Sequence, residues 1–228
     1  MSRFLLALFL LPGLSLLTGP ALSQTSPAPA PPICDVKDNI EDVDCLQKAQ
    51  GLFTRKGDAL TIALDGGKSK TYVGNLAACD GDNVDAEKCL VFRMRGYFPQ
   101  VQSLLVEKAY YECGDFLFVS RRTGSETVMQ EVPALSPNGR YLISIDQNDA
   151  CYRRYDIAIW SMLTDPPTLD FKYEAKQYEN WEVTAWTDDD RIGMKAWVND
   201  KTSYDQEAEL VRKDGGWILQ LGKKTERR

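Results

Sequence analysis

The 228-residue sequence contains no histidine. That absence removes Ser-His-Asp and Cys-His catalysis, a histidine general base, and every metal site that depends on imidazole. No Cys-x-x-Cys pair occurs among the 6 cysteines, so the close thiol spacing of a redox or zinc centre is missing as well. Basic clusters are short, and Lys+Arg 27 against Asp+Glu 33 leaves a formal charge of −6. An acidic chain of this kind is a poor match for nucleic acid. Long amphipathic helical stripes are lacking, and beyond the N-terminus no apolar run approaches the roughly 20 residues of a membrane-spanning helix.

The one long apolar run lies at the start. Residues 1–23 place Arg3 before an apolar stretch from Phe4 to Leu17, then Gly19-Pro20 and Ala21-Leu22-Ser23. This is the order of a secretory signal peptide cut after Ser23. Residues 24–33 follow as a Pro/Ala-rich flexible leader. The rest reads as a single all-β domain over 34–222 with a charged tail at 223–228. Export, with the bacterial periplasm as the expected compartment, suits an even set of cysteines acting as disulfide staples. Six cysteines allow fifteen pairings. Spacing ranks Cys34–Cys45 and Cys79–Cys89 first as local loops, which leaves Cys113–Cys151 to bridge two strand segments.

From Leu52 onward short alternating segments such as ALTIAL, CLVFRMRGYF, RYLISID and RIGMKAW are separated by turn residues, among them Pro137-Asn138-Gly139 and Asp214-Gly215-Gly216. The only short helix candidate spans Asn39 to Gln50, so the fold class is all-β. In RYLISID one face carries Tyr141, Ile143 and Ile145, the other Leu142, Ser144 and Asp146. A shift of 51 residues lays ALSPNGRYLISID, from Ala134, on AWTDDDRIGMKAW, from Ala185, with turn on turn and apolar position on apolar position. Repetition near 50 residues with four short strands per unit indicates a propeller-like antiparallel β-meander, the alternatives being a β-sandwich or an open meander. About four units fit the length. The last would supply three strands ending at Leu221, leaving an N-terminal segment to complete it. SPNGRYLISI, Ser136 to Ile145, resembles the turn-and-strand of TolB-like and tryptophan-aspartate repeat β-propellers, and DIAIWSM, Asp156 to Met162, looks like the strand that follows. The resemblance runs over one to two repeats, residues 134–221, and implies a fold rather than an activity.

Chemistry is sparse. Lys68-Ser69-Lys70 offers a lysine-activated serine in form, but it follows Gly66-Gly67 and reads as a solvated hairpin tip. Glu107, Glu112, Asp115, Glu174, Glu179 and Glu182 lie among aromatic neighbours and supply material for the paired carboxylates of glycoside chemistry, with nothing to single out two of them. Asp80, Asp82, Asp85 and Glu87 crowd one predicted disulfide loop and form a low-ranking calcium candidate, without the EF-hand order. No other cofactor is indicated. Tyr178, Trp181, Trp186 and Trp197 are candidates for a binding platform. Trp181 and Trp186 are five apart, so in a straight strand they face opposite sides and at least one belongs to the core. These features favour a non-enzymatic binding protein of the cell envelope with a protein or glycan partner, not membrane-spanning once processed. The rival readings are a carbohydrate-active enzyme using two carboxylates and a purely structural envelope component.

Overall fold

A computed structural model describes residue 49 and residues 51–79, 84–146, 155–176, 179–199 and 202–227. Its strands fall into four antiparallel sheets, each built from strands consecutive in the chain. The first holds β1 (Phe53–Lys56), β2 (Ala59–Ala63) and β3 (Ser69–Val73); the second β4 (Leu90–Phe98), β5 (Ser103–Tyr110), β6 (Cys113–Ser120) and β7 (Glu126–Met129). The third holds β8 (Ala134–Leu135), β9 (Tyr141–Ile145), β10 (Ile157–Ser161) and β11 (Thr168–Tyr173). The fourth holds β12 (Glu179–Asp188), β13 (Arg191–Asn199), β14 (Ser203–Lys213) and β15 (Gly216–Glu226). Strand order within each sheet is sequential, so the chain is all-β and propeller-like, a series of up-and-down blades.

Period-2 alternation stacks these blades in chain order. Leu60, Ile62 and Tyr72 of the first sheet pack with Met94, Leu104, Val106, Leu117 and Val119 of the second. The opposite face of the second sheet, with Phe98, Leu105, Phe116, Phe118 and Met129, meets Leu142, Ala158 and Trp160 of the third. The remaining face of the third, Tyr141, Ile143, Ile157 and Ile159, meets Trp186, Ile192, Met194, Leu210 and Trp217 of the fourth. Among the described residues no buried cluster joins the fourth sheet back to the first.

The turn entering β9 is built as its residues dictate. Gly139 takes φ 72°, a left-handed conformation that suits glycine. The buried Ser136 hydroxyl accepts from the backbone N–H of Arg140 at 3.1 Å and of Tyr141 at 3.0 Å, while Asn138 Oδ1 accepts from Arg140 N–H at 2.9 Å. Ser136 is therefore a turn brace. Asp214 and Gly215, at φ 54° and 85°, make the two-residue hairpin between β14 and β15.

Blade-to-blade repetition is real, but its period is 50 rather than 51. The pairs Tyr141↔Ser161 and Ile145↔Ile157 of β9/β10 correspond to Arg191↔Val211 and Lys195↔Glu207 of β13/β14, each member displaced by 50. The bond from Met162 N–H to Arg140 C=O likewise becomes Arg212 N–H to Asp190 C=O. A one-residue slip flips every side chain to the other face. Leu142, Ser144, Ala158 and Trp160 are thus equivalent to Ile192, Met194, Ala208 and Leu210, all directed at the preceding sheet. The 51-residue match arose because the third sheet is buried on both faces, whereas the fourth is apolar on only one.

Two further expectations are corrected. The fourth sheet supplies four strands of its own, and among the described residues the three-stranded sheet is the first. Residues 223–226, read as a charged tail, belong to β15, where Lys224 pairs with Gln206 and Glu226 with Tyr204. The lysines extend the strand because their side chains face solvent while the backbone completes the ladder. Cys79 and Cys89 are joined, Cα atoms 4.6 Å apart. Cys113 is also disulfide-bonded. Its partner, and with it the expected Cys113–Cys151 and Cys34–Cys45 pairings, lies outside the described residues.

Candidate functional site

A cleft of about 360 Å³ is lined by Glu107, Tyr110, Glu112 and Asp115 of the second sheet, by Gln130 and Glu131 just past it, and by Asp146 just past β9 of the third. Glu107 projects from β5 opposite Phe116 of β6. Glu112 occupies the β5–β6 turn at φ 61°, and Asp115 follows on β6, its carboxylate accepting from Tyr110 Oη–H at 3.5 Å. Glu131 follows β7 and Asp146 follows β9, which brings the third sheet's own carboxylate to the cleft. Gln130 anchors the far wall by accepting from Tyr155 N–H at 2.9 Å.

Charge in this cleft is partly compensated. Glu107 Oε2 is buried and accepts no hydrogen bond; it lies 3.3 Å from Arg93 Nη1 and 3.8 Å from Arg95 Nε. Burial pushes the Glu131 carboxyl up from its ordinary value, the nearby Asp146 charge adds to the effect, and Arg95 opposes it. Five carboxylates thus line one concavity, Glu107 facing two arginines and Glu131 raised above its ordinary value.

Among the residues singled out from sequence, Glu107, Glu112 and Asp115 are brought together here. Glu131 and Asp146 were not foreseen, because each sits just past a strand and only the sheet-to-sheet packing gives them a common cleft. The other acids lie elsewhere. Glu174 pairs with Lys172, and Glu179 Oε2 accepts from Tyr173 Oη–H at 3.1 Å and Trp181 Nε1–H at 3.3 Å. Burial and the Glu179 charge push the Tyr173 phenol up to about 12. Of the calcium candidates, Asp85 faces Lys88 Nζ at 2.6 Å, and that hydrogen bond holds its carboxyl below the ordinary range. Glu87 is exposed, and Asp80 and Asp82 lie outside the described residues. Among the described residues no three potential ligands are grouped to hold a metal ion.

Among the described residues, Trp181, Trp186 and Trp197 do not share one open face. Trp181 and Trp186 are 2 % exposed, both inside the cluster between the third and fourth sheets. At least one is core, as parity required, but the two do not face opposite sides, because β12 is bulged between Val183 and Ala185 and the extra residue returns Trp186 to the face of Trp181. Trp197, on the opposite face of β13, is 40 % exposed. Tyr178 lies outside the described residues.

At the far end of the joint between the second and third sheets is a polar network that the sequence did not reveal. Asp165 accepts from the hydroxyls of Ser120 at 2.6 Å, Thr123 at 3.1 Å and Ser125, with Arg122 Nη2 at 3.6 Å. Burial alone would push this carboxyl up, but the hydroxyl hydrogen bonds and the Arg122 charge outweigh it and hold Asp165 below the ordinary range. Every oxygen is satisfied, so the network clamps the β10–β11 loop to the β6–β7 hairpin.

No protein-family model and no curated sequence matches the chain. Among solved structures, the WD40 domain of SCAP from fission yeast is similar at 15 % identity and TM-score 0.31, over 65 % of this chain and 37 % of that one. TolB from Acinetobacter baumannii is similar at 12 % identity and TM-score 0.30, over 76 % of this chain and 43 % of that one. The chain spans less than half the length of either. Its blade-like architecture stands on its own sheet order and register. No helix of the described residues is long and apolar enough to cross a membrane.

Proposed function

We propose that this is an exported, non-enzymatic binding protein of the cell envelope that receives a cationic group of a partner in the cleft between its second and third sheets. The observation that carries the reading is the convergence of Glu107, Glu112, Asp115, Glu131 and Asp146 on one concavity. A lysine or arginine side chain entering there gains charge-assisted hydrogen bonds from the carboxylates that line it. Export is supported by the signal-like residues 1–23 and agrees with the closed Cys79–Cys89 bond.

Titration of the processed chain with a lysine-rich peptide tests it. Binding that weakens with added salt and is lost in Glu112→Gln/Asp115→Asn supports the reading; binding equal in that variant overturns it. A second reading is favoured by Glu131, whose raised carboxyl beside Glu107 is the disposition of a general acid in a glycosidase. It requires release of reducing ends from an exported polysaccharide, abolished by Glu131→Gln. A purely structural component would show neither behaviour.

A further inference from the structure

The outer face of the fourth sheet carries a shallow groove of about 480 Å³ that includes Asn180, Glu182, Lys195, Trp197 and Arg227. Two neighbouring cross-strand pairs lay it out: Asn180 opposite Trp197, and Glu182 opposite Lys195, two residues along the same strands. Directly opposed side chains on one sheet face lie about 5 Å apart. The groove therefore presents one indole with an amide, a carboxylate and an ammonium within a ring's width of it. Trp181 also borders the groove, but it is 2 % exposed and its ring packs into the core on the opposite face, so the other side chains open to this groove are polar.

We propose that this groove binds a saccharide, with one sugar ring stacked on Trp197. A protein partner draws its affinity from a cluster of apolar anchors filling pockets, whereas this face offers a single aromatic surface. A pyranose needs that arrangement: one apolar C–H face laid on one aromatic ring, and hydroxyls around its edge that both donate and accept. Asn180 does both, Glu182 accepts and Lys195 donates. The Arg227 guanidinium now lies 5.4 Å from the Trp197 ring centroid, held by Asp205. Arg227, which Asp205 holds through both Nε and Nη2, covers this ring and must swing aside for a sugar to stack on it. This site is separate from the acidic cleft and does not depend on what that cleft binds.

The test is titration of the processed chain with hexasaccharides of chitin and of cellulose, followed by tryptophan emission and calorimetry, and co-sedimentation with purified peptidoglycan sacculi. Binding to at least one of the three is expected, weakened about tenfold or more in Trp197→Ala, the loss of roughly one stacking contact. Arg227→Ala should bind equally or more tightly, and Glu112→Gln/Asp115→Asn should bind unchanged. Sedimentation without hexasaccharide binding assigns the ligand to the wall polymer, and hexasaccharide binding alone assigns it to a free glycan; either supports the site if Trp197→Ala weakens it about tenfold or more. Absence of binding to all three, binding indifferent to Trp197→Ala, or a loss in Arg227→Ala equal to that in Trp197→Ala overturns the proposal.

Discussion

The backbone N–H of Asn138 donates to Oδ1 of Asp189 at 3.0 Å, tying the turn that opens the third blade to the turn that opens the fourth. The two turns that match in sequence are thus neighbours in space, as successive blades require. The bond is exposed, so water replaces it readily. Asp189→Ala should cost about 1 kcal/mol or less in urea unfolding, and Asp189→Asn less still. Leu142→Ala, which empties a fully buried site between the second and third sheets, should cost about 2 to 5 kcal/mol.

The tryptophans should divide sharply. Trp186→Phe and Trp217→Ala remove parts of one edge-to-face cluster in which Trp217 lies 5.3 Å from Tyr141 and 6.2 Å from Trp186. Trp217→Ala is expected to lose about 3 to 5 kcal/mol. Trp197→Ala, on the open face, should stay within about 0.5 kcal/mol. Thermal melts with emission spectra check both.

How much of this was legible in the sequence depends on which neighbour each residue has. Strand alternation in Tyr141–Ile145 and the Pro137-Asn138-Gly139 turn are local properties, and both are present as read. The 51-residue match misassigned faces because alternation reveals that a face is apolar but not which sheet covers it; only the ladder Arg191↔Val211 decides. That Trp186 joins Trp181 on one buried face depends on a bulge in β12 that leaves no composition signal. Glu131, Asp146 and Asp165 acquire meaning only from segments 15 to 45 residues away, as the 45-residue span between Ser120 and Asp165 illustrates.

Closing the loop between Cys79 and Cys89, separated by 10 residues, restricts the unfolded chain. Cys79→Ser/Cys89→Ser should lower unfolding free energy by about 2 to 3 kcal/mol. Guanidinium unfolding of the double variant beside the parent provides the comparison, and an unchanged midpoint would contradict it.

Asp165 sets part of the acid limb of stability. Its folded carboxyl titrates below the ordinary value, so its stabilisation is complete above the ordinary carboxyl range and is lost as pH falls through the depressed folded value. Asp165→Asn should be less stable than the parent at pH 7, with the two converging in acid. A constant difference down to the lowest pH would show that the ionised form is not what clamps the loop.

Glu131 should behave in the opposite sense. With its carboxyl raised, the folded state favours the protonated form, and a penalty grows as pH rises through the raised value. Glu131→Gln should therefore match or exceed the parent's stability at pH 7, an advantage that disappears below the ordinary glutamate range.

The central claim is that the acidic cleft is where a partner binds. It is tested most directly by placing a photo-reactive side chain at Tyr110, which lines the cleft and is 37 % exposed, and irradiating the intact envelope. A dominant crosslinked product is predicted, abolished when Glu112→Gln/Asp115→Asn is combined with the label and retained with Trp197→Ala. A product that persists undiminished after the cleft acids are neutralised, or no product at all, would contradict it.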